Sequence, residues 1–333
     1  MFVVTGGAGF IGSNLIAALN ATGETQIILV DDLSDTTKIA NINDLRITDF
    51  LDKDDFSEEL KRSGLPRGVQ VVFHQGACSD TMVSDGRYVM DVNYEYSKTV
   101  LKACSASGTP MIYASSASVY GPDGPFVESE ENEHPLNAYA FSKTLFDRYA
   151  FQNHRGASGQ LVGLRYFNVY GPREAHKGRM ASVAWHLTHQ YFETGLVRLF
   201  EGSDGYGPGE QRRDFIHVDD VVRTNLFFLE NANLSGIFNV GTGKSRSFND
   251  VALAVINACR QVDGEAAITL DEAQREKRLN YFAMPETLQG KYQSFTEASI
   301  GKLLSAGCSG PWTDVDKGVG SYATQLYTAL KAT

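Results

Sequence analysis

Phe2-Val3-Val4-Thr5-Gly6-Gly7-Ala8-Gly9-Phe10-Ile11-Gly12 decides the fold of this 333-residue chain. Its first four residues make a short apolar strand, and the glycines at 6, 9 and 12 then open a stretch, residues 12–20, with helical apolar spacing. A glycine-rich turn between strand and helix lets phosphate approach the backbone N–H groups closely. Asp31, nineteen residues after Gly12, closes the next apolar run, about where an acid binds the adenosine ribose of a dinucleotide. Asp32 doubles the negative charge there and favours the free ribose hydroxyls of NAD. Lys38 and Lys53, folded back over the same end, would neutralise the 2′-phosphate of NADP.

Outward from this turn, apolar strand-like runs at 2–5, 26–31, 69–74, 110–114 and 161–167 alternate with helical stretches at 12–20, 94–106 and 138–153. That alternation predicts an α/β fold, a Rossmann-type doubly wound parallel sheet with right-handed crossovers. The loop Gln75, Gly76, Ala77, Cys78 and Ser79, together with Asn93, falls where later loops of such a sheet line a cofactor cleft. After Gly171-Pro172 the alternation weakens. Helices are expected at 180–193 and 219–230, with a Gly-rich loop at 202–209 and Asp219-Asp220 at a helix start. The expected division is 1–170 as the dinucleotide-binding domain, with a return of 214–245 to it, and 171–333 mainly as a smaller α/β substrate-binding lobe. The charged stretch 263–278 reads as a solvated helix or loop.

A formal charge of −10 argues against nucleic acid as a partner, and any anionic substrate must then meet a local basic cluster. No apolar run approaches the roughly 18 residues of a membrane span, so the expectation is a cytoplasmic protein. Cys78, Cys104, Cys259 and Cys308 lack metal or redox spacing and read as reduced thiols. His186 and His189 stand three apart but no third ligand follows, so no metal is expected.

The chemistry is carried by Tyr139 and Lys143 on the helix at 138–153. Four residues apart, they share one helix face, where the ammonium is expected to stabilise the phenolate and depress its pKa from about 10. A phenol tuned in this way takes a proton from an alcohol as hydride leaves.

TGGAGFIG, the run Ser115-Ser116-Ala117-Ser118-Val119-Tyr120-Gly121, Tyr139-x-x-x-Lys143 and Arg165-Tyr166-Phe167-Asn168-Val169-Tyr170-Gly171-Pro172 together resemble the extended short-chain dehydrogenase/reductase superfamily acting on sugar nucleotides. The resemblance covers nearly the whole chain and narrows to the ADP-heptose 6-epimerase family. The narrowing rests on residues 174–183, Leu199-Phe200-Glu201-Gly202-Ser203, Arg213-Asp214-Phe215 and Gly290-Lys291-Tyr292-Gln293. It implies that Tyr139 is the proton acceptor on one side of the substrate and Lys177 on the other. Ser116 would bond the reacting oxygen, and Lys143 would serve the nicotinamide ribose. Phe10, Ile11, Asp31, Lys38, Lys53, the 75–79 loop, Val169 and Lys177 would hold the cofactor, NADP with NAD the alternative. Asn168, Arg179, His186, Phe200, Glu201, Gly202, Ser203, Arg213 and Tyr292 would contact ADP-heptose, with Arg179 and Arg213 giving an acidic chain the positive charge a pyrophosphate requires.

The implied reaction is inversion at C6 of the heptose through a transient ketone, serving lipopolysaccharide core precursor synthesis. The implied assembly is a homo-oligomer, a pentamer in the family. Asp32 stands where the family commonly has asparagine and Gln75 where it often has glutamate. Residues 205–210 and 264–277 read as insertions, the first adding flexibility beside Arg213. A UDP-hexose 4-epimerase would share Ser116, Tyr139 and Lys143 without needing Lys177. A 4,6-dehydratase would need an acid pair where Ala117-Ser118 stand, and a non-catalytic redox sensor would have no use for the triad.

Overall fold

The computed structural model describes residues 1–122, 124–154, 158–285 and 293–332. β1 (Phe2–Thr5) passes through the glycine turn into α1 (Phe10–Ala21). There follow β2 (Ile27–Asp31), β3 (Asp49–Asp52), α2 (Lys53–Ser63), β4 (Val71–His74), α3 (Gly86–Met90), α4 (Tyr96–Ser107), β5 (Met111–Ser116), α5 (Ala138–Asn153) and β6 (Leu161–Tyr166). The second half runs β7 (Asn168–Tyr170), α6 (Val183–Thr194), β8 (Val197–Phe200), β9 (Arg212–Arg213), β10 (Phe215–His217), α7 (Val218–Glu230) and β11 (Gly236–Val240). It closes with β12 (Arg246–Ser247), α8 (Phe248–Val262), α9 (Leu270–Arg275), β13 (Leu279–Phe282), α10 (Gly301–Ser305) and α11 (Val315–Ala332).

Seven strands form one parallel sheet in the order β11-β6-β5-β4-β1-β2-β3. Successive side chains of a strand point to opposite faces, so a sheet covered on both sides reads as continuous apolar sequence. β1 shows it. Phe2 and Val4 enter a core with Leu15 and Ile16 of α1 and Val221 of α7, whereas Val3 enters a second core with Phe56 of α2, Val100 of α4 and Phe146 of α5. A third core joins α6, α8 and α11 with β8 and β13, and holds Leu187, Val255, Tyr322 and Leu279.

β11 returns to the sheet beside β6, with Phe238 opposite Leu164. Among the elements not expected from the sequence are the edge strand β3 and the helix α2 in the first half and the long helices α8 and α11 in the second. Asp49-Phe50-Leu51-Asp52 is too short and too acidic for a strand signal, and α2 presents only Phe56, Ser57 and Leu60 to the interior. Within 263–278 the structure places α9, fixed by a reciprocal cap between Thr269 and Glu272. At α7 the capping residue is His217, and Asp219 and Asp220 occupy the first turn, where acids favour the helix dipole.

Candidate active site

Chain order reverses its direction across the sheet between β1 and β4, and the loops after these two strands meet at that point. A crevice opens there at the carboxyl ends of the strands. Gly6 has φ +66°, and a Cβ on it would lie 2.5 Å from the Gly76 nitrogen; a Cβ on Gly12 would lie 2.1 Å from the Gly6 oxygen. Glycine is therefore required at both positions for the turn to close. The resulting cleft is about 1080 Å³. Its wall includes Gly6, Gly9, Phe10, Ile11, Gly12, Asp31, Asp32, Lys38, Lys53, Gln75, Gly76, Ala77, Cys78 and Ser79. Ser116, Tyr139, Lys143, Val169 and Lys177 also line it, as does Tyr96.

Asp31 ends β2 and is 7% exposed. One carboxylate oxygen accepts the Ala8 N–H at 2.8 Å, and the other accepts the Asp32 N–H at 2.7 Å and the Lys38 ammonium at 3.0 Å. Asp32 pairs with Lys53 at 3.3 Å. Hydrogen bonds from Ser34 pull the Asp32 carboxyl down to about 2, with Lys53 adding to them. Both lysines thus stand beside the end of β2, each already facing a carboxylate.

The loop after β4 is set by a relay that no motif announced. The Thr5 hydroxyl lies 2.7 Å from His74 Nδ1, His74 Nε2 lies 2.8 Å from Ser97 Oγ, and Ser97 Oγ donates to the Asn93 carbonyl. Burial pushes His74 down to about 3, so the ring is neutral. Because the Ser97 proton goes to Asn93, Nε2 carries the ring proton and Nδ1 accepts from Thr5. Asn93 itself is 1% exposed and does not line the cleft. Its amide accepts the Cys78 N–H and donates to the Cys78 carbonyl, so it holds the loop from behind. Gln75 bonds Asn225 and Tyr166.

At the reacting end, Tyr139, Lys143 and Asp147 stand at i, i+4 and i+8 on α5, one face of the helix. Lys143 donates to the Ala114 carbonyl at 2.8 Å. Burial lowers its pKa to about 8, with the Asp147 charge opposing the fall. Burial also pushes the Tyr139 phenol above its ordinary value, opposed by a hydrogen bond with Ser116. This corrects the expectation that Lys143 depresses Tyr139, because desolvation outweighs an ammonium turned toward a carbonyl. Lys177, from the segment after β7, lies 5.3 Å from the Phe10 ring, and burial pulls its pKa down against the support of Glu174.

Beneath this pair lies an ionic cluster the sequence did not reveal. Asp147 accepts from Tyr113 and Ser115 at 2.9 and 2.8 Å and from Arg165 at 3.0 Å, and Arg165 also bonds Glu133 and lies over the Tyr120 ring. The one available signal was Arg165 itself, a charge inside the apolar run 161–166.

Of the residues assigned to substrate, Ser116 lines the cleft, whereas Asn168, Arg179, His186, Phe200, Glu201, Gly202, Ser203 and Arg213 do not join its wall. Arg179 is 67% exposed and pairs with Asp80 at 2.6 Å, and His186 lies 3.3 Å from the Arg179 carbonyl. Arg213 is buried over Phe248, and Asn168 is exposed on β7. The turn after Phe200 is tied by Gln211, which donates to the Glu201 carbonyl and to Ser203. A Cβ on Gly202 would lie 1.9 Å from the Tyr206 carbonyl. The apparent insertion at 205–210 is stitched down rather than loose, since Asn249 bonds both the Pro208 carbonyl and Glu210. Tyr292 lies outside the described residues. Among the described residues, no group of three His, Cys, Asp or Glu could hold a metal ion, and no helix is long and apolar enough to cross a membrane.

The cleft fits a nicotinamide dinucleotide. Glycines close the turn where a side chain would block it, Asp31 faces the cleft from the end of β2, and the buried Tyr96 hydroxyl on the wall has no partner among the described residues.

The sequence profile of the NAD dependent epimerase/dehydratase family matches residues 2–241. ADP-L-glycero-D-manno-heptose-6-epimerase of Thiobacillus denitrificans is 54% identical over 324 residues, which is 97% of this chain and 98% of that protein. Among solved structures, ADP-L-glycero-D-manno-heptose-6-epimerase of Helicobacter pylori superposes with a TM-score of 0.79 at 29% identity, covering 98% of this chain and 96% of that one. UDP-glucose 4-epimerase of Thermus thermophilus, in complex with NAD, gives 0.77 at 26% identity, covering 98% and 99%.

Proposed function

The chain belongs to the NAD dependent epimerase/dehydratase family, among its ADP-L-glycero-D-manno-heptose 6-epimerases, and from that premise we propose that it inverts C6 of ADP-D-glycero-D-manno-heptose. A bound nicotinamide nucleotide supplies the reversible oxidation of C6 to a ketone and its reduction from the opposite face. Gly6, Gly9 and Gly12 would receive its pyrophosphate, Asp31 its ribose, and Lys38 with Lys53 the 2′-phosphate of NADP.

The observation that carries the reading is that Tyr139 and Lys177 reach one cleft from separate elements. C6 lies outside the sugar ring, so rotation about its bond to the ring can present either face. Each face then needs its own proton acceptor and donor. Burial disfavours the charged form of each group, raising the phenol and lowering the ammonium, so that Tyr139 is held protonated and Lys177 gives up its proton more readily than a solvated lysine. Either group can then act as acid in one direction and base in the other. Ser116 bonds Tyr139 and lines the same cleft, where it would bond the reacting oxygen. Asp147 supports the charge of Lys143 from behind. The cleft walls exclude water from the ketone.

The test is NMR of purified protein mixed with ADP-D-glycero-D-manno-heptose and no added cofactor. The C6 and anomeric signals should pass to a two-epimer equilibrium. Conversion of UDP-galactose instead would make the protein a 4-epimerase, in which Lys177 has no part.

A further inference from the structure

The segment that carries Lys177 has both ends fastened to one buried carboxylate. Glu174 is 0% exposed. One of its oxygens accepts the Gly171 N–H at 3.4 Å and the Ser182 hydroxyl at 2.7 Å, and the other accepts the Ser182 N–H at 2.5 Å. The Tyr322 hydroxyl of α11 bonds the same carboxylate. Between these anchors the Lys177 N–H closes a turn on the Glu174 carbonyl at 2.9 Å. The chain reverses directly afterwards at Gly178, with φ 51° and ψ −121°. The outer side of the segment is held to the dinucleotide half. His176 lies 3.0 Å from the Asn41 amide, which donates to the Ala8 carbonyl within the glycine turn, and Arg173 pairs with Asp44 at 2.7 Å.

Gly171, Ser182 and Tyr322 all present donors, and only an ionised carboxylate offers acceptor lone pairs on both oxygens. A glutamine of the same shape would turn two N–H donors toward one of those groups. The negative charge also supports the Lys177 ammonium against desolvation.

We infer that Glu174 is a positioning residue for Lys177, holding the second acid/base over the glycine turn by joining the two ends of its loop. This rests on the reading that Lys177 serves one face of C6. A carboxylate that merely braced the fold would support Tyr139 and Lys177 alike, whereas a positioning residue acts on one of them.

The experiment separates the two bases with an ADP-sugar bearing an aldehyde at C6, which the bound cofactor both oxidises and reduces. In a Tyr139→Phe background, where Lys177 remains, adding Glu174→Gln should lower dismutation by about tenfold or more, part of the ~10²–10⁴ that a placed acid/base contributes. In a Lys177→Met background, where Tyr139 remains, the same addition should change the rate less than about twofold, well inside that range. Equal losses in both backgrounds, or none in either, overturn the inference while leaving the two-base reading intact. Full epimerase activity in Lys177→Met alone overturns both. Should Glu174→Gln abolish the cooperative thermal transition, Ser182→Ala removes one partner, keeps the carboxylate, and is read in the same two backgrounds with the same outcomes.

Discussion

Replacing Lys143 with methionine should cost activity and leave the fold as stable or more so. The ammonium is 4% exposed, and its pKa falls from 10.5 to about 8 through burial. That fall corresponds to a net penalty of about 3 kcal/mol on the charged form, desolvation less the support of Asp147, at roughly 1.4 kcal/mol per tenfold. Methionine removes the cost but also the hydrogen bond to the Ala114 carbonyl, worth about 2 kcal/mol for a charged donor. The expected result at pH 7 is a gain of about 1 kcal/mol in the nucleotide-free protein, with epimerase activity down about 100-fold or more. The pH dependence fixes the cause. Below pH 8 the lysine is charged in both folded and unfolded chains, and the desolvation penalty is fully present. Between about 8 and 10.5 the folded protein releases its proton first, so wild-type stability rises through that window. The methionine variant lacks this rise, and its advantage should therefore shrink. Urea titrations of stripped protein at pH 7 and 9.5 measure both quantities, free of the stabilisation that bound nucleotide confers. A variant less stable by 2 kcal/mol or more at pH 7, or an advantage that grows with pH, would refute the reasoning.

Arg165→Met should destabilise the protein by about 3–5 kcal/mol in the same titration, because Asp147 is left charged and buried without its ion-pair partner and Glu133 keeps only Arg148. Gly12→Ala should yield protein without bound nucleotide, read by identifying what denaturation releases, since the new methyl would meet the Gly6 oxygen at 2.1 Å. Asp32→Asn should improve NADP affinity relative to NAD by about fivefold in calorimetry on stripped protein. It frees Lys53 from a carboxylate 3.3 Å away in a partly exposed pair worth about 1 kcal/mol.

What could be read from the sequence was the part in which function is local. A glycine turn, an acid at the next strand end and a Tyr-x-x-x-Lys pair each lie within a few residues, and strand and helix periods set their geometry. The positioning groups were hidden for the opposite reason. Glu133, Asp147 and Arg165 are brought together from a loop, a helix and a strand, and Thr5, His74 and Ser97 from three elements of the sheet domain. No spacing announces such contacts, because they exist only once the sheet has closed. Asn93 shows the intermediate case, since it was expected to line the cleft but lies buried behind the Cys78 loop, a position that depends on packing. Asp214, inside the Arg-Asp-Phe run, is likewise a structural acceptor. It is 0% exposed and receives the N–H groups of Thr242, Gly243 and Ala298.

In the proposed reaction the hydrogen leaving C6 as hydride returns to C6. ADP-D-glycero-D-manno-heptose deuterated at C6, incubated with the protein in ordinary water without added cofactor, reads this directly by NMR and mass spectrometry. Deuterium should stay at C6 in both epimers at equilibrium. Loss of the label to solvent as epimerisation proceeds would contradict it, since the hydrogen would then have left C6 as a proton.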